Sequence, residues 1–169
     1  MVHSVELLFD GETEAALRRI WDDVNTAEIP GRAPAGRPHV TLAVAARISP
    51  DVDQLLRPVA QQLPLACTVG APLLFGRSNA VLARLIVPTV ELLALHAEVH
   101  RICALYLVPG PLPNSLPGQW TAHATVARRV GGPRLEDAFR LAGDPSEIHG
   151  AIAGLRRWDG TERVEYPIS

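Results

Sequence analysis

The sequence predicts a mixed fold of strands and helices in which one strand–helix–strand–helix–strand unit occurs twice. Hydrophobic spacing alternates along the chain between the two-residue period of strands and the longer period of helices. The same order of elements, with a Pro/Gly-rich loop before an apolar strand that carries a histidine, occurs in residues 1–76 and again in residues 77–169. We interpret the repeated order as a duplication. The 169 residues are then a single domain of two lobe-like halves.

The first half is predicted to contain three strands and two helices in alternation: Ser4–Phe9, Glu12–Thr26, His39–Arg47, Ser49–Leu63 and Leu65–Phe75. One face of the first helix carries its apolar residues, Leu17, Ile20, Trp21 and Val24. The second helix has Ser49 as its expected N-cap, because a serine side chain can accept from the first free N–H groups. Pro50 suits its first turn.

The second half repeats the order and adds a final strand: Ala80–Val87, Thr89–Leu107, Thr121–Val130, Arg134–Ala142, Ser146–Trp158 and Thr161–Pro167. Thr89 is the expected N-cap of the long helix. The proline-rich loop Pro109–Gln119 precedes the strand with the second histidine, as residues 29–38 precede the first. This loop forms either a lip over a cleft or a stiff connector.

Composition limits the functions that this chain can have. Net charge is −2 and every basic residue is arginine, so the sequence lacks the broad basic face that binds long nucleic acid or a DNA duplex. The most apolar window, Val81–Leu107, contains several charged residues, and we expect no membrane span. The N-terminal residues do not resemble a signal peptide, so we expect a cytoplasmic protein. We also expect the protein to be a monomer. Cys67 and Cys103 are too few for a disulfide scaffold and are expected to be buried thiols.

Two His-x-Thr triplets are the strongest signal in the sequence. They are His39-Val40-Thr41 and His123-Ala124-Thr125, and each lies in a predicted apolar strand. Six histidines and eight threonines predict fewer than one such triplet by chance. Because residues i and i+2 of a strand face the same side, each histidine shares a face with its threonine. The same parity places Ala43, Ala45 and Ala127 on that face, where they would leave a shallow floor for a substrate.

This pairing suits cleavage or formation of a phosphodiester bond. One group must take a proton from the attacking oxygen, and another must give a proton to the leaving oxygen. Histidine titrates near neutrality and can fill either role. The threonine hydroxyls can donate to phosphate oxygens as charge grows on them. The predicted chemistry requires neither a metal nor another cofactor.

At these residues the chain resembles the 2H phosphoesterase superfamily, and most of all its 2′-5′ RNA ligase-like (LigT-like) branch. The motifs Pro-His-Val-Thr-Leu and His-Ala-Thr-Val-Ala-Arg carry the resemblance, together with the repeated order of elements. It implies a bilobal α+β fold with antiparallel sheets facing a central cleft. It also implies that His39 and His123 act as acid and base, and that the hydroxyls of Thr41 and Thr125 bind the phosphate. The implied substrates are 2′,3′-cyclic phosphates or 2′-5′ bonds of nucleotides or short RNA ends, with ligation as the reverse reaction.

Further residues near the motifs are candidates for binding. Arg37 could hold a second phosphate, or be a solvated arginine at the start of a strand. Trp120 could stack on a base, or anchor a loop. Arg128 follows the second motif with the parity of the opposite face, and would reach the cleft only if the strand bulges.

The remaining histidines are weaker candidates. His96 and His100 are one helical turn apart and could share a metal, although a half-exposed helix face is the simpler interpretation. His149 lies on a predicted strand without an evident partner. Two functions other than catalysis also stay open: a module that binds nucleotide or an RNA end without cutting it, and a structural protein with a relict site.

Overall fold

The computed structural model describes residues 1–76 and 79–169. It contains nine strands: β1 (His3–Phe9), β2 (His39–Ala45), β3 (Arg47–Ile48), β4 (Leu65–Phe75), β5 (Ala80–Ile86), β6 (Leu107–Val108), β7 (His123–Val130), β8 (Ile148–Asp159) and β9 (Val164–Ile168). The helices are α1 (Gly11–Thr26), α2 (Val52–Leu55), α3 (Arg57–Ala60), α4 (Val90–Cys103) and α5 (Leu135–Ala142). A 3-10 turn, Pro113–Ser115, lies in the loop before β7.

Seven of these strands form one antiparallel sheet, so the fold is α+β as predicted. Its order is β2-β1-β8-β4-β5-β7, and β9 pairs with the end of the long strand β8. The two edge strands, β2 and β7, carry the two His-x-Thr motifs. One hydrogen-bonded sheet therefore joins the strands of both halves, whereas the sequence led us to expect separate sheets.

The strand order is symmetric about its centre. Exchanging β1 with β5, β2 with β7 and β4 with β8 reproduces the same order from the other end. The symmetry agrees with a duplication, which stays a prediction. Each sequence half gives a strand to the other, because β8 pairs with β1 while β4 pairs with β5.

The two long helices lie where the sequence predicts them. Asp10 caps α1 by accepting from the backbone N–H of Thr13. The side chain and the backbone N–H of Thr13 together lower the pKa of the Asp10 carboxyl. Thr89 caps α4 through Leu92 N–H, as predicted. The apolar face expected for α1 is buried, and this helix contacts α5, β7 and β8.

The segment after β2 differs from its prediction. The expected helix Ser49–Leu63 is two short helices, α2 and α3, separated at Leu56. Pro58 explains the break, since it has no N–H to bond the carbonyl four residues earlier, and its ring would clash with that carbonyl in a continuous helix. The N-cap of α2 is Asp51 rather than Ser49, and it makes no side-chain capping bond.

A two-stranded ribbon shortens two other predicted elements. β3 pairs antiparallel with β6, and neither strand was expected. The strand predicted as His39–Arg47 therefore ends at Ala45, and the helix predicted as Thr89–Leu107 ends at Cys103. The ribbon connects the ends of the first motif strand and the long helix α4.

A buried arginine fixes the middle of the second half. Arg84 of β5 has no exposed surface, and its guanidinium donates to the backbone carbonyls of Ala142 at 2.8 Å and Pro145 at 2.9 Å. It also donates to the carbonyls of Gly70 and Ser146, and burial lowers its pKa. One side chain thus ties β5 to β4, to the end of α5 and to the start of β8.

Both cysteines are buried and free, as predicted. Burial raises the pKa of the Cys67 thiol to about 11 and that of Cys103 to about 12, so both are protonated near neutral pH. Among the helices in the described part of the chain, none is both long and apolar enough to cross a membrane.

Candidate active site

The two motifs line one cleft between the edge strands of the sheet. His39 and Thr41 lie on β2, His123 and Thr125 lie on β7, and all four border a cavity of about 700 Å³. The side chain of His39 is only 21% exposed. The structure therefore brings together the four residues that the sequence singled out.

The two histidine rings are held in the same way. Nδ1 of His39 donates to the carbonyl of Arg37 over 2.8 Å, and Nδ1 of His123 donates to the carbonyl of Thr121 over 2.7 Å. A carbonyl can only accept, so each Nδ1 carries the proton. In the neutral ring Nε2 then has a free lone pair, which is the form that a proton acceptor needs.

Just beyond Thr41, a β-bulge changes the face of the first motif strand. Thr41 pairs with Glu6 and Ala43 with Val5, so Leu42 is an extra residue in the ladder. The predicted alternation reverses at this point. Ala43 and Ala45 are buried in the core, contrary to the prediction, and Val44 lines the cleft instead.

Two helix histidines satisfy the carbonyl of the bulged residue. Nε2 of His96 lies 3.1 Å from the carbonyl oxygen of Leu42, and Nε2 of His100 lies 2.9 Å from the same oxygen. His96 also donates to the carbonyl of Ser115 at 2.8 Å. Burial, with His100 beside it, lowers the pKa of His96 to about 4, so the ring is neutral near pH 7.

These contacts correct the interpretation of His96 and His100 as a half-exposed helix face, because both side chains are buried. They also give the pair a structural role in place of a shared metal. Across residues 1–76 and 79–169, no group of three or more His, Cys, Asp or Glu side chains is placed to hold a metal ion.

The second motif strand has a matching bulge. Thr125 pairs with Ala83 and Ala127 with Leu82, which leaves Val126 as the extra residue. Ala127 is consequently buried rather than on the floor of the cleft, and Arg128 lines the cleft. The backbone of Arg128 is paired on its outer side with Arg32, at 2.7 and 2.8 Å.

The environment of His123 favours the neutral imidazole. Its ring lies against Phe75, with 4.6 Å between the centroids. Burial lowers the pKa of His123, and the neighbouring charges of His39 and Arg128 lower it further, against the opposing effect of the Thr121 carbonyl. A cleft histidine without its proton can accept one from an attacking oxygen.

Comparison with known proteins identifies the family. The family model described as the 2′-5′ RNA ligase superfamily matches residues 10–161, a span that includes both motifs. The chain belongs to the 2′-5′ RNA ligase superfamily. This confirms the resemblance to the LigT-like 2H phosphoesterases. No curated protein matches the sequence.

Solved structures share the fold of this superfamily member over nearly its whole length. Escherichia coli LigT complexed with 3′-AMP is 15% identical with a TM-score of 0.62, and the match covers 99% of this chain and 94% of that one. The crystal structure of a phosphoesterase is 16% identical with a TM-score of 0.61, and the match covers 99% of this chain and 95% of that one. Kluyveromyces marxianus Usb1 is 13% identical with a TM-score of 0.56, covering 99% and 97%.

Trp120, in the loop before β7, is held in place beside the cleft by two contacts. Its indole N–H donates to the carbonyl of Thr41 over 2.9 Å, and its ring stacks on His96 with centroids 3.9 Å apart. One face of the ring is therefore occupied by His96. Trp120 also borders the cavity, so its predicted contact with a base stays a prediction.

Arg37 is not among the described residues that line the cleft. Its guanidinium donates to the carboxylate of Glu14 on α1, at 3.0 Å from Nε. Burial raises the pKa of Glu14, but Arg37 and Arg18 together outweigh it and lower that pKa. Arg37 thus has a structural partner in Glu14, and its predicted contact with a phosphate stays a prediction. Its backbone carbonyl still matters to the site, because it orients His39.

Of the remaining candidates, the proline-rich loop borders the cleft and His149 does not. The loop predicted as Pro109–Gln119 forms a wall of the cleft through Leu112 and Gln119, which favours the lip interpretation. His149 lies on the exposed part of β8, with Nδ1 3.3 Å from the hydroxyl of Thr68, and it borders a different cavity.

Two residues that lie beside the cleft histidines were not predicted. Phe75, at the end of β4, packs on His123, and Glu6 of β1 lies beside His39, with Oε1 3.6 Å from Nε2. Both strands were predicted, but sequence spacing does not indicate which strands are neighbours in a sheet.

Proposed function

We propose that this superfamily member is a phosphodiesterase that cleaves 2′,3′-cyclic phosphate or 2′-5′ phosphodiester bonds of nucleotides or RNA ends by two-histidine acid–base catalysis. The observation that carries the proposal is the matched geometry of the two histidines. Both line one cavity, and both are fixed through Nδ1 to the carbonyl two residues earlier. Nε2 of each ring is then the nitrogen that exchanges a proton with the substrate.

Displacement at phosphorus needs groups on opposite sides of the phosphate. The two histidines lie on opposite edge strands, β2 and β7, which suits an attacking oxygen on one side and a leaving oxygen on the other. Thr41 and Thr125 lie beside them on the same cleft surface. Their hydroxyls can donate to the non-bridging oxygens, where negative charge grows in the transition state.

Arg128 adds the positive charge that a phosphate site needs. It lines the cleft and is exposed, so its guanidinium can reach a bound phosphate and donate two parallel hydrogen bonds. Because the bulge at Val126 turns Arg128 toward the cleft, we assign it to phosphate binding in place of Arg37.

The nature of the neighbours supports a nucleotide substrate. Family membership supports phosphoesterase activity, and E. coli LigT of the same fold has been solved with 3′-AMP. A cavity of about 700 Å³ is large enough for a nucleotide. The same site can catalyse ligation in reverse, since the acid and the base exchange roles, but bulk water favours hydrolysis.

The test is turnover of defined substrates. The purified protein is incubated with EDTA and a panel of 2′,3′-cyclic nucleotides and 2′-5′-linked dinucleotides, with His39→Ala and His123→Ala beside it. We expect cleavage by the wild type that survives EDTA and is lost in both variants. Tight nucleotide binding without turnover of any substrate would contradict the proposal and favour a binding module.

A further inference from the structure

The surroundings of the two cleft histidines differ at one position of the otherwise symmetric sheet. Glu6 of β1 pairs with Thr41, and the corresponding residue of β5, Ala83, pairs with Thr125. A carboxylate therefore lies next to His39, with Oε1 3.6 Å from Nε2. The matching place beside His123 holds only a methyl group.

Glu6 is held as a charged group by its neighbours. Its carboxylate is buried, and Arg156 of β8 donates to Oε2 from Nε at 2.8 Å and from Nη2 at 2.7 Å. The hydroxyl of Ser4 donates to Oε1 at 2.5 Å. Two charge-assisted hydrogen bonds to Oε2 and one hydroxyl bond to Oε1 hold the carboxylate in one orientation. Oε1 is thereby directed toward the cleft side of β1.

The position of Glu6 makes the two protonation states of His39 unequal. Nδ1 of His39 already donates to the Arg37 carbonyl, so a neutral ring turns the lone pair of Nε2 toward the negative Oε1. A protonated ring turns an N–H toward it instead, which is attractive. Across the cleft, no carboxylate of residues 1–76 and 79–169 pairs with His123, which shares its surroundings with Arg128 and the ring of Phe75.

We propose that Glu6 is a positioning residue that keeps His39 protonated as the general acid, which leaves His123 as the general base. This assignment rests on the function proposed above, and it gives the reaction a direction across the cleft. The other charged groups described near His39 are cationic: Arg128 on β7, Arg163 on the border of the same cavity, and Arg156, which lies behind Glu6 and is also paired with Glu165. His123 faces His39 from β7 and is repelled by it when both rings are charged. They oppose protonation, so the carboxylate of Glu6 is the group on which the assignment depends.

The proton steps balance in this scheme. Nε2 of His123 takes the proton of the attacking water or hydroxyl as its oxygen bonds to phosphorus. The bond from phosphorus to the leaving oxygen breaks, and that oxygen takes the proton from Nε2 of His39. His123 ends protonated and His39 neutral, and exchange of one proton with solvent restores the starting state.

The first test measures protonation without any substrate. In NMR titrations of the full-length protein, with ring signals assigned from His39→Gln and His123→Gln, we expect His39 to keep its proton to higher pH than His123. Glu6→Gln should move the titration of His39 to lower pH and leave His123 unchanged. Glu165→Gln is the matched control, because it disturbs the other partner of Arg156 without touching His39.

The wild-type titration alone can overturn the assignment. If His123 holds its proton to higher pH than His39, the roles are reversed, whether or not Glu6→Gln folds. If Glu6→Gln folds and His39 titrates as before, Glu6 does not position it. Neither result depends on turnover. The role of Glu6 can therefore be refuted while the proposed function stands, and the proposed function can be refuted while the titration result stands.

The second test identifies the acid through the leaving group. A nitrophenolate leaves without protonation, so loss of the general acid should matter little for bis(4-nitrophenyl) phosphate. We expect His39→Ala to lose about 10²–10⁴-fold on a nucleotide substrate but much less on the nitrophenyl ester. His123→Ala should lose activity on both, and the opposite pattern would assign the acid to His123.

Discussion

Trp120 donates its indole N–H to the backbone carbonyl of Thr41, 2.9 Å away, and so joins the loop before the second motif to the strand of the first. Trp21 of α1 makes the reciprocal bond to the carbonyl of Thr125, over 3.0 Å. Both acceptors lie on edge strands, whose outer carbonyls would otherwise lack a partner in the sheet. Each tryptophan thus supports the motif of the opposite half.

Trp120→Phe should destabilise the protein by removing this bond. A phenyl ring can still pack on His96 but cannot donate, so the carbonyl of Thr41 loses its partner. We expect the free energy of unfolding to fall by about 1 kcal/mol, as measured by urea denaturation. Trp21→Phe should cost a similar amount. Unchanged stability in both variants would show that the two bonds contribute nothing.

Arg128→Gln should weaken catalysis much more than Arg129→Gln. Both changes remove one positive charge from adjacent exposed residues, but only Arg128 is among the described residues that line the cleft. We expect a rise in KM and a fall in kcat/KM of about tenfold or more for Arg128→Gln, since an ionic contact to phosphate is worth about 1.5–3 kcal/mol. Equal effects of the two substitutions would mean that general charge, and not the position of Arg128, matters.

The motif residues and Arg128 show how far the sequence predicts the site. The motif residues are predictable because an apolar strand with a short polar pattern has a fixed parity. Arg128 is not, because the bulge at Val126 is set by pairing with β5, which strand spacing does not encode. The same holds at Leu42, whose carbonyl accepts from His96 and His100 on a helix far along the chain.

The fold was predictable to a similar degree. The order of the major elements follows from periodicity and caps such as Thr89. The pairing of β8 with β1 and of β4 with β5 does not follow from periodicity, because it depends on which strand edges are free once the chain has collapsed. Arg37 illustrates the same limit, since its partner Glu14 comes from a helix that the strand pattern cannot position.

The stability of the protein should decrease in acid partly through His96. The pKa of this residue is about 4 in the folded protein against an ordinary value of 6.5, so the unfolded chain binds its proton first. The contribution of the neutral ring is present above about pH 6.5 and is lost as the pH falls toward 4. His96→Gln, whose amide can still donate, should lose less stability than the wild type between pH 7 and 4.5 in urea titrations. An identical pH dependence would exclude His96 as a source of the acid sensitivity.

Arg84→Met should be one of the most destabilising single substitutions in the chain. It would leave several buried carbonyls without a donor, among them those of Ala142 and Pro145. Each unsatisfied buried group costs about 1–3 kcal/mol, so we expect a loss of about 3 kcal/mol or more in urea denaturation. Arg101→Met is the control. Its ion pair with Glu98 is on the surface, where water screens the charges, so its loss should change stability little. A small effect at Arg84 would mean that water replaces its hydrogen bonds.

A double-mutant cycle on the two cleft histidines tests most directly whether they form one catalytic site. It compares kcat/KM for wild type, His39→Ala, His123→Ala and the double variant on one nucleotide substrate, with His149→Ala as a control outside the cleft. If both rings serve one displacement, each single variant should lose about 10²–10⁴-fold, and the double variant should lose much less than the product of the two losses. Independent losses that multiply, or substantial turnover in either single variant, would contradict a single two-histidine site.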